Sequence, residues 1–188
     1  MRAADDTRPT DPAERLDAWL PAPAVRTYHR RVGRTAPDAL WDAATSLRLS
    51  DTRTLGRLVR WRIPGLERDL TYGELFRADP FTVLEEGERY LLAGLCGRIW
   101  TMARDYPRLG GPDQFARWDE PGTVRVLFGH WVKESGGGRA ELVSEARVAP
   151  VDRSAAKRLG ALWKVVGPFE RLVGAEAIVA ATARSERA

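Results

Sequence analysis

One histidine lies in the middle of an otherwise apolar alternating segment. Residues 123–134 alternate, and one side of the predicted strand carries Val124, Val126, Phe128, His130 and Val132. An imidazole both donates and accepts hydrogen bonds and titrates near neutral pH, so His130 could anchor a ligand or act as a general base. The alternative is a structural histidine satisfied by a backbone carbonyl or a nearby hydroxyl.

A second alternating segment, residues 139–148, supplies a hydroxyl, because its apolar side contains Leu142, Ser144, Ala146 and Val148. If the two segments form a hairpin, their apolar faces coincide only when paired residue numbers have an even sum. A glycine-containing three-residue loop at residues 135–137 gives such a register. Ser144 then shares a face with His130, while Glu145 and Arg147 form an ion pair on the opposite face.

The chain has seven tryptophans in 188 residues. Aromatic side chains suit the wall of an apolar ligand cavity, although any single one more often fills a core. Together with the alternating segments they define a set of candidate ligand-binding residues, and no catalytic residue is assigned. The set is Phe128, His130, Val132, Ser144, Tyr90, Trp100, Trp163 and Phe169.

Other familiar chemistries lack the residues they need. A metal site requires several ligands at close spacing, but His29, His130 and Cys96 are far apart in the sequence. The glycines at 136–138 are not followed by Gly-Lys-Ser/Thr and are better explained as a hairpin turn than as a phosphate loop. The sequence therefore predicts neither a metal nor a cofactor.

Composition and charge are those of an ordinary globular protein. Apolar residues make up 44% and charged residues 30% of the chain, and the formal charge is +4. The single cysteine excludes an internal disulfide, and neither an export signal nor a membrane span is visible, so we expect a soluble, cytoplasmic protein. Dispersed arginines usually form a solvated surface, so nucleic acid is not expected as a partner. Oligomeric state stays open.

The order of elements predicts an α+β fold. A strand at residues 25–33 is followed by two short helices, which begin near Pro37 and after Asp51. Strand-like segments follow at residues 70–76, 81–85, 89–95, 123–134 and 139–148. A long helix begins near Asp152, and Pro168 inside it predicts a bend. Short connections between successive strands favour an antiparallel sheet.

The same pattern sets the predicted domain boundaries. Residues 1–24 are rich in Asp, Arg, Ala and Pro, which predicts a disordered tail. Residues 25–183 are expected to form a single domain, and residues 184–188 a short C-terminal tail.

Four local motifs resemble a known superfamily: Gly-Leu-Cys-Gly-Arg-Ile-Trp at 94–100, Pro-Gly at 121–122, Ser-Glu-Ala-Arg-Val at 144–148 and Leu-Trp-Lys-Val-Val-Gly-Pro-Phe at 162–169. They are similar to bacterial SRPBCC (START-like) proteins of uncharacterised function, over roughly residues 25–183. The resemblance implies a helix-grip fold, in which a curved antiparallel sheet wraps around a long C-terminal helix. Relatives include polyketide cyclases, lipid carriers, plant hormone receptors and hydroxylase subunits, so the resemblance does not fix an activity.

Three functions remain open at this point. The first is binding of a small hydrophobic molecule, such as a lipid or an aromatic polyketide, in an internal cavity. The second is a polyketide cyclase or dehydratase in which His130 and a tyrosine move protons. The third is an interaction module that contacts RNA or a ribosomal surface through its arginines, and a steep salt dependence of binding would distinguish it.

Overall fold

The structure is a computed structural model that describes residues 11–63, 65–67, 69–101 and 106–187, apart from the side chains of residues 62 and 169–174. Its strands are β1 Val25–Gly33, β2 Thr82–Gly87, β3 Tyr90–Gly97, β4 Val124–Glu134 and β5 Ala140–Pro150. Its helices are α1 Pro12–Trp19, α2 Pro37–Thr45, α3 Leu55–Arg62, α4 Tyr72–Leu75, α5 Pro112–Ala116 and α6 Arg153–Ser185.

The strands form one antiparallel sheet in the order β1-β5-β4-β3-β2. The first strand therefore lies at an edge, beside the last. The curved sheet and the long helix α6 have the helix-grip arrangement that the sequence predicts. No helix in the described part of the chain is long and apolar enough to cross a bilayer.

The register of the central hairpin has the predicted parity. His130 pairs with Ser144, and Val126 pairs with Val148, so the alternating apolar sides of β4 and β5 coincide. The turn lies one residue later than predicted, because the backbone N–H of Ser135 donates to the carbonyl of Arg139 at 2.9 Å. Its three central residues are Gly136, Gly137 and Gly138, with φ between 60° and 73°, a region that glycine enters without a Cβ penalty.

One predicted strand is a helix instead. Residues 72–75 form α4, which begins with a reciprocal cap. The hydroxyl of Thr71 accepts from the backbone N–H of Glu74 at 3.2 Å, and the Glu74 carboxylate accepts from the backbone N–H of Thr71 at 2.9 Å. These two bonds satisfy backbone donors that a strand would have paired with a neighbour. The prediction of a strand at 70–76 is therefore wrong.

The tails are also more ordered than the composition predicts. Within residues 1–24, where disorder was expected, residues 12–19 form α1, capped by Asp11 and started by Pro12. Residues 1–10 lie outside the described part of the chain. At the other end, α6 continues to Ser185, which is buried, so the domain does not stop at residue 183.

Helix α1 covers the outer face of the sheet. Leu16 and Leu20 are fully buried in an apolar cluster with residues of β3, β4 and β5. Trp19 and Arg15 both donate to the carboxylate of Glu85, each at 2.7 Å. The sheet is therefore covered on both faces, which explains why β3 is buried along almost its whole length.

An ion-pair network lies under α1. The Arg147 guanidinium donates to Glu145 at 2.6 Å, to Asp17 at 2.6 Å and to the carbonyl of Leu20 at 3.1 Å. Glu145 also accepts two hydrogen bonds from Arg26, at 2.7 and 3.0 Å. The predicted ion pair between Glu145 and Arg147 is thus present on the outer face, but both side chains are buried rather than solvated.

Candidate functional site

A large cavity lies on the inner face of the sheet. Its volume is about 640 Å³, within the range of small-molecule sites. Strands β1, β3, β4 and β5 form its floor, and α2, α3, α4 and α6 form its walls. Only one alternate set of residues from each strand reaches it, as the pleat of a sheet requires.

The middle of α6 closes the cavity only partly. Near its start, α6 packs through the buried residues Ala155 and Leu159, and near its end through Ile178 and Ala181. Between them, Leu162, Trp163 and Val166 line the cavity and are at most half-buried. The described part of α6 includes Pro168 within the helix, and the bend predicted there stays a prediction.

The cavity wall is apolar and aromatic. Among the described residues that line it there is no Asp, Glu, Lys or Arg. Four of the seven tryptophans take part, namely Trp41, Trp61, Trp100 and Trp163. A wall of this composition gives a charged ligand no ionic partner, so burying a charge there would be costly.

Three polar side chains of the floor fall into one row. His29 on β1 is opposite Ser144 on β5, and Ser144 is opposite His130 on β4. All three line the cavity. With strands about 4.8 Å apart, the two imidazoles stand on the order of 10 Å from each other, with the hydroxyl between them. One cross-strand row therefore brings together both histidines of the chain.

His130 lies against one ring of an aromatic cluster. Its ring centroid lies 4.6 Å from that of Phe76, which in turn lies 5.2 Å from Phe81 and 5.5 Å from Phe128. The Nε2 atom of His130 is buried and has no hydrogen-bond partner among the described residues. This burial lowers the pKa of His130 to about 4, because an apolar environment disfavours the charged imidazolium. His130 is thus neutral at pH 7.

Tyr72 and Trp100 add polar groups to the walls of the cavity. The hydroxyls of Tyr72 and Thr52 are 3.4 Å apart, and burial raises the pKa of Tyr72 to about 12. Trp100 also reaches the cavity, and its indole Nε1 is buried without a hydrogen-bond partner among the described residues. Neutral donors and acceptors are therefore present on the walls of the cavity as well as on its floor.

A carboxylate of α6 holds the wall formed by α3. Glu176 accepts from the backbone N–H groups of Arg53 at 2.5 Å, Thr54 at 3.0 Å and Leu55 at 2.7 Å. Unpaired N–H groups at a helix N-terminus favour a negative charge. Burial alone would raise the pKa of Glu176, but these backbone hydrogen bonds together lower it below its usual value. This contact joins α3 to α6 across one end of the cavity.

The structure brings together five of the eight candidate residues. Phe128, His130, Ser144, Trp100 and Trp163 line the cavity.

Three candidates are placed otherwise. Tyr90 is opposite Trp131 and therefore lies on the outer face, where the Arg15 guanidinium stands 5.1 Å from its ring centre. Its selection was wrong, because adjacent strand residues point to opposite faces. Val132 has the predicted face but packs in a core cluster that includes Leu40 and Ile178. The side chain of Phe169 lies outside the described residues.

Sequence reasoning missed several lining residues. His29 is far from His130 in the sequence, yet the pairing of β1 with β5 places it in the same row. Trp61 of α3 and Tyr72 of α4 also line the cavity. The strand order, which the sequence does not state, is what reveals the proximity of His29 to His130.

Metal and thiol chemistry find no support in the described residues. They contain no group of three His, Cys, Asp or Glu side chains placed to hold a metal ion. Cys96 is buried on the outer side of the sheet, and this burial raises the pKa of its thiol to about 12. A thiol with such a pKa is almost entirely protonated at pH 7 and is a poor nucleophile.

No protein-family model matches this chain, and no curated protein matches it. Among solved structures, a hypothetical protein from Helicobacter pylori is similar, with a TM-score of 0.41 and 11% identity over 98% of this chain and 99% of that chain. The Zhui aromatase/cyclase from Streptomyces sp. R1128 has a TM-score of 0.34 and 12% identity over 87% and 94% of the two chains.

Ara h 8.0201 is a further similar structure, with a TM-score of 0.27 and 11% identity over 87% of this chain and 99% of that chain. All three likenesses are distant, and none of them bears on the activity of this chain.

Proposed function

We propose that this protein binds an uncharged, mainly apolar small molecule in the cavity between the sheet and α6. The observation that carries the proposal is a space of about 640 Å³ whose described lining contains no Asp, Glu, Lys or Arg. Burying apolar ligand surface there is favourable by roughly 25 cal/mol per Å². A lipid or an aromatic polyketide has the required chemistry.

The row of His29, Ser144 and His130 gives the ligand a preferred orientation. A buried imidazole nitrogen without a partner gains a hydrogen bond when a ligand hydroxyl or carbonyl reaches it. We therefore expect the natural ligand to carry a polar group at the end that meets this row. Phe128, Trp100 and Trp163 contact its apolar part in this proposal.

Two probes that differ by one hydroxyl test this orientation. The wild-type protein should bind 1-naphthol more tightly than naphthalene by roughly twofold to tenfold, the value of one net hydrogen bond. His130→Phe keeps a ring of similar size but removes both nitrogens, so it should lose this preference while still binding naphthalene. Titration with detection by tryptophan fluorescence measures both affinities.

The competing account is a structural histidine. It predicts equal probe affinities in the two proteins together with a lower melting temperature for His130→Phe. A wild-type protein that binds neither probe would contradict the proposed function as a whole. Native mass spectrometry of the purified chain complements the titration, because a retained small molecule would identify the ligand class directly.

The two alternative functions have less support. A general base works best when its pKa lies near the operating pH, and the pKa of His130 is about 4. Tyr90 lies on the other face of the sheet, and of the cavity tyrosines Tyr72 and Tyr106, Tyr72 has its pKa raised to about 12. His130 and Tyr72 are thus poorly matched to proton transfer at pH 7. The RNA-contacting module predicts steep salt dependence of RNA binding.

A further inference from the structure

The mouth of the cavity is marked by side chains that both line it and are exposed. These are Leu58 and Trp61 of α3, exposed by 43% and 59%, and Val166 of α6, exposed by 40%. Val165 stands next to Val166 and is 68% exposed. The opening therefore lies between α3 and the middle of α6.

Exposed apolar surface is concentrated at this mouth. Seven large apolar side chains of the described residues are exposed, and these four are among them. Scattered single apolar residues are normal on a protein surface, but a contiguous group around an opening indicates a contact site. Trp61, the most amphipathic of them, is typical of side chains at a membrane interface.

The same two segments are strongly basic. Residues 53–62 and 153–168 contain eight basic residues and no acidic one: Arg53, Arg57, Arg60, Arg62, Arg153, Lys157, Arg158 and Lys164. Since the whole chain has a formal charge of +4, the rest of it carries net −4. The net positive charge of the protein is thus concentrated in the two segments that border the mouth.

Two of these basic side chains lack an acidic partner among the described residues, whereas Arg53 lies near Glu176 and Arg158 near Asp152. No ion pair joins Arg57 or Lys164 to another described residue, and both side chains are exposed. On α3, Arg57 and Arg60 stand directly before Leu58 and Trp61 in the sequence. Apolar side chains beside arginines on one helix are typical of helices that lie in the interface of an anionic bilayer.

We propose that the mouth docks on the surface of an anionic lipid bilayer, where the apolar ligand enters or leaves the cavity. Trp61, Leu58 and Val165 enter the interfacial layer, and Arg57 and Lys164 lie beside the lipid phosphates. The second part of this statement rests on the proposed function, since a molecule that suits an uncharged apolar cavity concentrates in bilayers rather than in water. The docking itself does not require a ligand.

Cosedimentation with vesicles tests the docking. The ligand-free chain should bind vesicles of phosphatidylcholine mixed with phosphatidylglycerol, and bind vesicles of phosphatidylcholine alone more weakly. Added salt should weaken the binding, because it screens the arginines from the headgroups. Val165→Asp places a charge in the interfacial layer and should lower the partition coefficient by about tenfold, and Arg57→Ser should lower it less.

Val179→Asp is the matched control. Val179 is also exposed and lies on the same helix, about 21 Å further along the axis and on nearly the same side. Binding should change little in this variant. Val165 does not belong to the cavity lining of the described residues, so Val165→Asp should leave naphthalene binding unchanged. Loss of vesicle binding therefore separates docking from ligand binding.

Several results would overturn the docking. These are absence of binding to anionic vesicles, an equal loss in Val165→Asp and Val179→Asp, and binding that ignores lipid charge. A dimer in solution that Val165→Asp dissociates would also overturn it, because the mouth would then be a contact between copies of the chain. If the naphthalene probes fail to bind but the vesicles bind normally, the docking stands and the proposed function falls.

Discussion

On its inner face, the sheet presents His29, Ser144 and His130 to a cavity. On its outer face, the neighbouring residues of the same strands form a covered ion-pair network. Both faces contain polar groups, but the two faces differ in whether these groups have hydrogen-bond partners. On the outer face Glu145 and Arg147 are buried and make charged hydrogen bonds to each other. On the inner face the Nε2 atom of His130 has no partner among the described residues.

This difference separates two tasks. A buried charge is tolerable only when its hydrogen bonds are complete, so the outer face is where a substitution should cost the most stability. A cavity wall with an unpaired polar atom contributes little to the free energy of unfolding, and in the proposed function a ligand pairs that atom. We therefore expect stability to depend mainly on the outer face and ligand binding on the inner one.

Breaking the buried network should have the largest effect. Arg147→Met leaves Glu145 buried with only the exposed Arg26 as a charged partner, so we expect a loss of about 3 to 5 kcal/mol of unfolding free energy. The double variant Glu145→Leu/Arg147→Met removes the stranded charge and should lose less than the single one. Urea denaturation measures both.

Arg77→Met provides the control for that experiment. Arg77 pairs with Glu86 at the surface, where an ion pair contributes at most about 1 kcal/mol. A loss in Arg147→Met no larger than that of Arg77→Met would show that burial of the network has no special cost.

Lowering the pH should destabilise the protein through His130 on the inner face. The folded pKa of His130, about 4, is below the ordinary 6.5, so the unfolded chain binds its proton first as the pH falls. Above pH 6.5 this group costs nothing, and between pH 6.5 and 4 the stability decreases, by on the order of 3 kcal/mol in total. Unfolding of His130→Phe should lack this component, while Ser144→Ala keeps it. Identical slopes in wild type and His130→Phe would contradict the burial of this ring.

The smallest effects on stability are expected from substitutions that enlarge a side chain on one face of the sheet or the other. A Cβ at Gly94, on the outer face, would stand 2.6 Å from the buried ring of Phe115, so Gly94→Ala should cost about 1 to 3 kcal/mol. Ala146→Leu adds more atoms, but they enter the cavity, so stability should change by less than about 1 kcal/mol. Naphthalene binding should fall in Ala146→Leu alone. Thermal unfolding and probe titration on the two variants decide this.

Much of the inner face follows from the sequence because its signal is local. The alternation of residues 123–134 and 139–148 and the glycines between them predict the hairpin, its parity and the shared face of His130 and Ser144. The face of Tyr90 could not be predicted because β3 is apolar on both sides, so periodicity does not distinguish its faces. The position of His29 depends on the pairing of β1 with β5, which joins residues far apart in the chain.

The outer face was harder to predict, although signals for it exist. Leu16, Trp19 and Leu20 recur at helical spacing after Asp11 and Pro12, a pattern that the charged, proline-containing composition of the segment obscured. The continuous apolar run of β3 is likewise typical of a strand covered on both faces. The amphipathic pattern of α1 and the continuous apolar sequence of β3 together predict that a helix covers the outer face of the sheet.

The network beneath α1 also affects how such a protein can diverge. Glu145, Arg147 and Asp17 hold the strands from the side that faces away from the cavity. Under the proposed function, substitutions in the cavity wall would change which molecule fits at a smaller cost in stability than substitutions in this network. Relatives of such a protein could then differ in their ligands while retaining the buried charges of the outer face.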